Sequence, residues 1–180
     1  MKAKLQTEAR SGPRSECPLN AAVEAFGDRW TLLVLRDMIF GDRRHFRQLQ
    51  AGSEEGIASN ILADRLAKLV ETGMLTRDDP GPGRRATYSL TEPAIELVPT
   101  LAHLGAWGVR HRPTTPDRRA GAEWLLAAGP EFWDDFMAEL RERHLGIARP
   151  KNSEPPASER MAAAYAQAVA KGQPADQGAA

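Results

Sequence analysis

"IASNILADRLAKLVETGML", residues 57–75, reads as one helix with an unusual outer face. At 100° per residue, Leu62, Leu66, Leu69 and Gly73 fall on one side, with Val70 at the edge. The opposite side carries Asn60, Asp64, Ala67 and Glu71, flanked by Ala63 and Lys68. Solvent-facing positions usually hold long charged side chains, yet the first half of this face offers Ser59, Asn60 and Ala63. Side chains this short let another surface come close to the backbone. That surface can be a neighbouring helix or the groove of a nucleic acid, and the helix alone does not choose.

The neighbouring segments narrow the choice. In "CPLNAAVEAFG", Pro18 suits an early helical position, Leu19, Ala22, Val23 and Phe26 keep helical spacing, and Gly27 is a stop. Asp28 is placed to accept backbone donors at the head of "RWTLLVLRDMIF". That stretch is apolar around most of its circumference, as expected of a central core helix, and Gly41 closes it. "RHFRQLQ" predicts a short third helix, "AGSEEG" a turn, and Ser59 an N-cap for the quoted helix, which Gly73 stops. "LTRDD" and "RRATYSLT" predict two strands around the turn cluster "PGPG" at 80–83. Thr91 then caps a long helix with a stripe of Ile95, Val98, Leu101, Ala102 and Gly105, kinked by Pro99.

Helix, helix, short helix, helix and hairpin is the order of a winged helix-turn-helix. The expected fold is therefore mainly α with a small β-hairpin wing and extra C-terminal helices. Residues 1–15 read as a flexible N-terminal arm, and 16–112 as the winged helix-turn-helix unit with the long helix that follows the wing. Residues 113–147 read as additional helices, carried by Trp124, Leu125, Phe132, Phe136 and Leu140. Residues 148–180 form an Ala/Pro-rich tail expected to be largely disordered, except for a helix near "SERMAAAYAQAVAK".

Composition sets limits. The 180 residues carry a formal net charge of zero, with 42% hydrophobic and 27% charged residues. Between Cys17 and Thr91, ten Arg and Lys balance ten Asp and Glu, so attraction to phosphate has to come from local arrangement. No apolar run approaches the roughly 20 residues of a membrane span. The amino terminus lacks the apolar centre of a secretory signal. A single cysteine excludes an intramolecular disulfide or a cysteine-rich zinc site. His45, His103, His111 and His144 show no zinc-like spacing. A cytoplasmic protein without metal, cofactor or membrane association is expected. There is no phosphate loop, metal motif or nucleophile elbow, so no enzyme is expected either.

In a winged helix the quoted segment is the recognition helix. Ser59 and the free N–H groups at its start can bind a phosphate, Asn60 can pair bidentately with adenine, and Lys68 can reach phosphate or guanine. Ala63 lets the backbone approach. Asp64 shares the contact face, although a carboxylate repels phosphate. Arg84 and Arg85 on the hairpin, with Arg43, Arg44 and Arg47 around the short third helix, are further candidate phosphate contacts. Each sign has a plain reading beside it: small residues also pack helices, and paired arginines also decorate solvated tips.

The stretch from "CPLNAAVEAFGDRWTLLVLRDMIFGDRRHF" through "IASNILADRLAKLVETGMLTR" to "YSLTEPAIELVPTLAHLGAWG" resembles the HxlR-type transcriptional regulators over about residues 16–112. The combination carries the resemblance: a Cys-Pro opening, Gly-Asp-Arg-Trp before the core helix, "LADRL", "YSLT" leaving the wing, and a Trp-Gly ending. It implies a homodimer on a pseudo-palindromic stretch of double-stranded DNA. The helix from Glu92 and the first helix would form the dimer interface, which assigns Leu19, Val23, Ile95, Val98, Leu101, Ala102 and Gly105 to it.

Cys17 stands just before a predicted helix start, where backbone N–H groups favour thiolate. It matches the cysteine with which some members sense oxidants or electrophiles; the plainer reading is a small residue filling the dimer interface. Trp107, Trp124, Phe132 and Trp133 can line a small-molecule pocket or simply be core. The competing class is a winged helix serving as a protein-interaction module without DNA.

Overall fold

Asp28 organises the head of the core helix. In the computed structural model, which describes residues 15–79, 81, 84–149 and 154–172, its carboxylate accepts the backbone N–H groups of Trp30 (2.8 Å) and Thr31 (3.0 Å). The Thr31 hydroxyl and the Arg65 guanidinium bind the other oxygen. Burial opposes the charge, but the Thr31 hydroxyl, the two backbone donors and Arg65 outweigh it and hold the carboxyl below its ordinary value. The "GDRW" motif is thus a cap that also ties the helix ahead of it to the one carrying Arg65.

The elements follow in the order α1 (Pro18–Phe26), α2 (Thr31–Gly41), α3 (Phe46–Ala51), α4 (Ser59–Glu71), β1 (Leu75–Asp78), β2 (Thr87–Leu90), α5 (Glu92–Ile95), α6 (Val98–His111), α7 (Pro116–Leu145) and α8 (Ala157–Gly172). Val34, Leu35, Met38 and Ile39 of α2 meet Leu49 of α3 and Leu62, Leu66 and Leu69 of α4 in one core. Burial of each leucine contributes about 2 kcal/mol. Gly73, at φ 73°, ends α4: its N–H goes to the Val70 carbonyl and that of Met74 to the Leu69 carbonyl, the crossed pair of a left-handed helix stop. The hairpin is antiparallel, with Leu75 opposite Leu90 and Arg77 opposite Tyr88. The architecture is the expected one, mainly helical with a small two-stranded wing.

Several local expectations change. The N-cap of α4 is Ala58, and Ser59 is its first helical residue with no side chain capping the end. The Thr91 hydroxyl donates back to the Gly73 and Met74 carbonyls instead of capping α5. The long helix from Glu92 is interrupted at residues 96–97, because a proline ring at 99 excludes the carbonyl of residue 95 from a continuous helix. Most of "PGPG" lies outside the described residues.

The larger correction concerns the stripe assigned to the dimer. Ile95, Val98 and Ala102 are 0–1% exposed and share the core with Phe132, Trp133, Phe136, Met137 and Leu140 of α7. Leu101 packs on the same cluster, and Gly105 faces Ala122 of α7. Helix α7 of the same chain covers that stripe. Phe136 stacks on Phe40 at 5.8 Å and on Phe132 at 6.1 Å, joining α7 to the core helix. At Gly129 (φ 75°) α7 turns, and Pro130 brings no N–H, so carbonyls of the preceding turn lose donors. The Trp133 indole compensates by donating to the Leu125 carbonyl at 2.8 Å. The kink divides α7 into two arms.

Helix α8 lies along α7. Glu139, almost fully buried, accepts the N–H and hydroxyl of Ser158 at the head of α8 and pairs with Arg143 at 2.7 Å. Arg160 pairs with Asp135, and the Tyr165 hydroxyl donates to Asp117 at 3.0 Å.

His144, near the end of α7, accepts the Leu90 N–H of the wing through Nδ1 at 3.2 Å. Burial, then the nearby Arg44 guanidinium, pushes its pKa down to about 4. The folded chain therefore refuses a proton that the unfolded chain takes up near pH 6.5. The associated stability is complete above that value and drains as pH falls towards about 4. The ring is partly solvated, so the loss is on the order of 1–2 kcal/mol, less than the full shift implies. Urea unfolding between pH 7 and 5 should show this slope, and His144→Gln should flatten it.

Candidate nucleic-acid interface

The outer face of α4 is open. Ser59, Asn60, Ala63, Asp64, Ala67, Lys68 and Glu71 are all exposed, while Leu62, Leu66 and Leu69 turn inward. With no side chain capping the helix, its first N–H groups and positive dipole end are available to an anion. Lys68 is half exposed and paired with Glu71 at 3.1 Å, an exchangeable surface contact.

A basic cleft of about 500 Å³ lies between the start of α3 and the wing, lined by Arg47, Arg77, Arg84 and Arg85. Arg77 pairs with Asp79 at 2.8 Å, and both are half exposed. Arg77 escaped the sequence reading because Asp78 and Asp79 follow it and mask its charge. The available signal was its position on the strand leading into the arginine-bearing tip. Two hydrogen bonds tie the α3 side of the cleft to the wing: the Tyr88 N–H donates to the Arg44 carbonyl at 2.8 Å, and the His45 side chain donates through Nδ1 to the Ala86 carbonyl at 3.0 Å. Gln48 of α3 reaches back to the N–H groups of Arg44 and His45, fixing the start of its own helix.

Two of the arginines expected at phosphate are committed elsewhere. Arg44 donates to the Tyr88 carbonyl, the Ser89 hydroxyl and the Arg143 carbonyl, bridging the loop, the wing and α7. Arg43 pairs with buried Asp37 at 3.1 Å and lies over Gly52, where any Cβ would collide with its guanidinium. The partners of Arg44 are distant in sequence, so helix and turn patterns could not reveal them. Arg47, Arg84 and Arg85 remain as outward cations.

Helix α1 buries none of its residues, leaving Leu19 72% and Val23 52% exposed. On α6, Leu104 and Trp107 are likewise about half exposed. Cys17 is exposed at the N-cap of α1. Among the described residues no three His, Cys, Asp or Glu side chains gather to hold a metal ion, and no helix is long and apolar enough to cross a membrane.

A core helix, a support helix, an open fourth helix and a basic hairpin define a winged helix-turn-helix protein. The HxlR-like helix-turn-helix profile matches residues 25–116, just over half the chain. The chain belongs to that family. It is similar to an uncharacterized HTH-type transcriptional regulator of Mycobacterium bovis, 41% identical over 96 residues, covering 51% of this chain and 57% of that protein. A second relative, an uncharacterized HTH-type transcriptional regulator of Synechocystis, is 34% identical over 124 residues, covering 66% of this chain and 81% of that one. Among solved structures, PA1607, a candidate transcription factor, superposes with a TM-score of 0.51 at 32% identity, covering 56% of this chain and 69% of that one. The chain thus spans little more than half the length of the mycobacterial relatives it matches.

Proposed function

We propose that the protein is a sequence-specific DNA-binding transcriptional regulator that reads a pseudo-palindromic operator as a homodimer. The observations that carry this reading are the open, short-residue face of α4 and the cleft of Arg47, Arg77, Arg84 and Arg85 between α3 and the wing. A major groove about 12 Å wide accepts such a helix, and small side chains let its backbone approach the base edges. In that pose the head of α4 and Ser59 bind phosphate, Asn60 pairs with adenine, and Asp64 accepts the amino group of a cytosine. Lys68 is freed from Glu71 to reach phosphate or guanine, and the wing arginines follow the adjoining backbone.

Selection of bound fragments from genomic DNA, followed by titration of Asn60→Ala, tests the reading. Asn60→Ala should cost about 1–3 kcal/mol on the selected site and leave non-specific binding intact. Equal losses on every sequence would refute base reading by Asn60. The absence of any enriched fragment would refute the regulator itself.

The dimer reading moves to the apolar groups left uncovered, Leu19 and Val23 of α1 with Leu104 and Trp107 of α6. Leu19→Asp/Val23→Asp removes no core contact, so the chain should keep its melting temperature and shift to monomer mass in light scattering. With one half-site engaged instead of two, operator affinity should fall by about tenfold or more. Dimer mass in that variant would reject this interface. Cys17, exposed two residues from Leu19, is where an oxidant or electrophile would act on the same contact. Peroxide treatment that leaves DNA affinity unchanged would remove it as a sensor.

A further inference from the structure

The C-terminal helices enclose a space that the winged unit alone would lack. A cavity of about 480 Å³ lies between the end of α2, the first arm of α7 and the body of α8. Its walls include Phe40, Trp124, Phe136 and Met161, and its charged lining is Asp42, Arg118 and Arg143. We propose that this cavity binds a flat aromatic molecule carrying one anionic group.

The volume falls within the range of small-molecule sites. Phe40 and Phe136 stand nearly parallel, 10° between planes, and present flat apolar walls. Both arginines already have carboxylate partners, so an anion can be held only where one of those partners is weakly bound. Of the two arginines, Arg143 is committed to Glu139 and Asp42, whereas Arg118 is half exposed and held mainly by equally exposed Glu54 at 2.6 Å. Such a solvated pair holds weakly, so a ligand anion can replace Glu54 on Arg118 while its ring enters the apolar chamber. Next to the chamber, a second hollow of about 540 Å³ shares Phe40, Gly41, Arg118 and Tyr165 with it and reaches Arg36, Glu54 and Glu55. Glu54 and Glu55 sit in the turn between α3 and α4, and Arg36 of α2 grips Glu55 through two bonds, 2.7 and 2.9 Å. Occupancy therefore releases the tie from α7 to the turn that positions α4. This regulatory consequence rests on the DNA reading; the site itself does not.

The probe is 2-naphthoate, titrated calorimetrically into the full chain without DNA, with uncharged 2-naphthamide and cationic 2-naphthylmethylammonium as comparators. One saturating naphthoate per chain is expected, bound more tightly than either comparator. Arg118→Gln should weaken naphthoate by about fivefold and leave naphthamide unchanged, while Glu54→Gln, which removes the competitor, should strengthen naphthoate. Ala162→Phe, which places a ring at the α8 wall of the chamber, should weaken both by about tenfold; if that chain fails to fold, the surface variant Glu54→Gln carries the test. No saturation up to a few millimolar, or identical affinity in Arg118→Gln and Glu54→Gln, overturns the site. Unchanged DNA affinity in saturating naphthoate overturns the regulatory link alone. Failure to bind any DNA overturns the regulator reading and leaves the calorimetry to judge the site.

Discussion

Replacing Arg47, Arg84 and Arg85 together with Ala should lower affinity for every DNA duplex by on the order of 100-fold near 0.15 M salt. Each phosphate contact releases counterions and adds about 0.9 to the slope of log affinity against log salt concentration. At that salt concentration one such contact accounts for roughly 0.7 of a log unit, and three account for about two. The triple variant should therefore bind more weakly and respond less to salt, its slope falling by about 2.7. Fluorescence anisotropy over a salt series reads both quantities. None of the three is buried, so the melting temperature should be nearly unchanged. A reduced affinity with the original slope would mean that these arginines do not meet phosphate. Arg44→Ala makes the contrast: it should lose stability first, because its guanidinium joins the wing to α7.

Phe136→Ala should cost about 3–5 kcal/mol of unfolding free energy, the range for deleting a large buried aromatic and leaving a cavity. Phe136 is 1% exposed and stacks on Phe40 from the winged core and on Phe132 from its own helix. If α7 were a separate appendage, the loss would be confined to it and α2–α4 would unfold as before. The packing of Phe136 against Phe40 predicts instead one cooperative transition, shifted as a whole. Urea denaturation followed by tryptophan fluorescence and by circular dichroism should give coincident curves for wild type and variant. Two separated transitions would show that the C-terminal helices are energetically independent of the winged unit.

The sequence revealed what short-range patterning controls. Leu62, Leu66 and Leu69 define the inner face of α4, Gly73 has the left-handed turn that ends it, and Asp28 caps α2 where a carboxylate was placed to do so. The wing follows from two short strands around a proline–glycine cluster. The dimer stripe was not legible in the same way. Periodicity shows that Ile95, Val98 and Ala102 share an apolar face, but not whose apolar face they meet, and a helix of the same chain reached them first. Distance in sequence also hid the roles of the arginines. Arg44 finds its partners 45 and 99 residues away, so its positive charge read as a DNA contact. Arg77 was missed for the reverse reason: adjacent aspartates cancelled its charge on paper, while the folded hairpin turns it into the basic cleft.

One side of the hairpin is sealed. Along the margin of β2 facing away from β1, the amide of Tyr88 is taken by the Arg44 carbonyl and that of Leu90 by the His144 ring. Unclaimed amides on such a margin invite a strand from another molecule and seed aggregation. Here a loop and an imidazole occupy them, so β2 offers no template for intermolecular sheet growth.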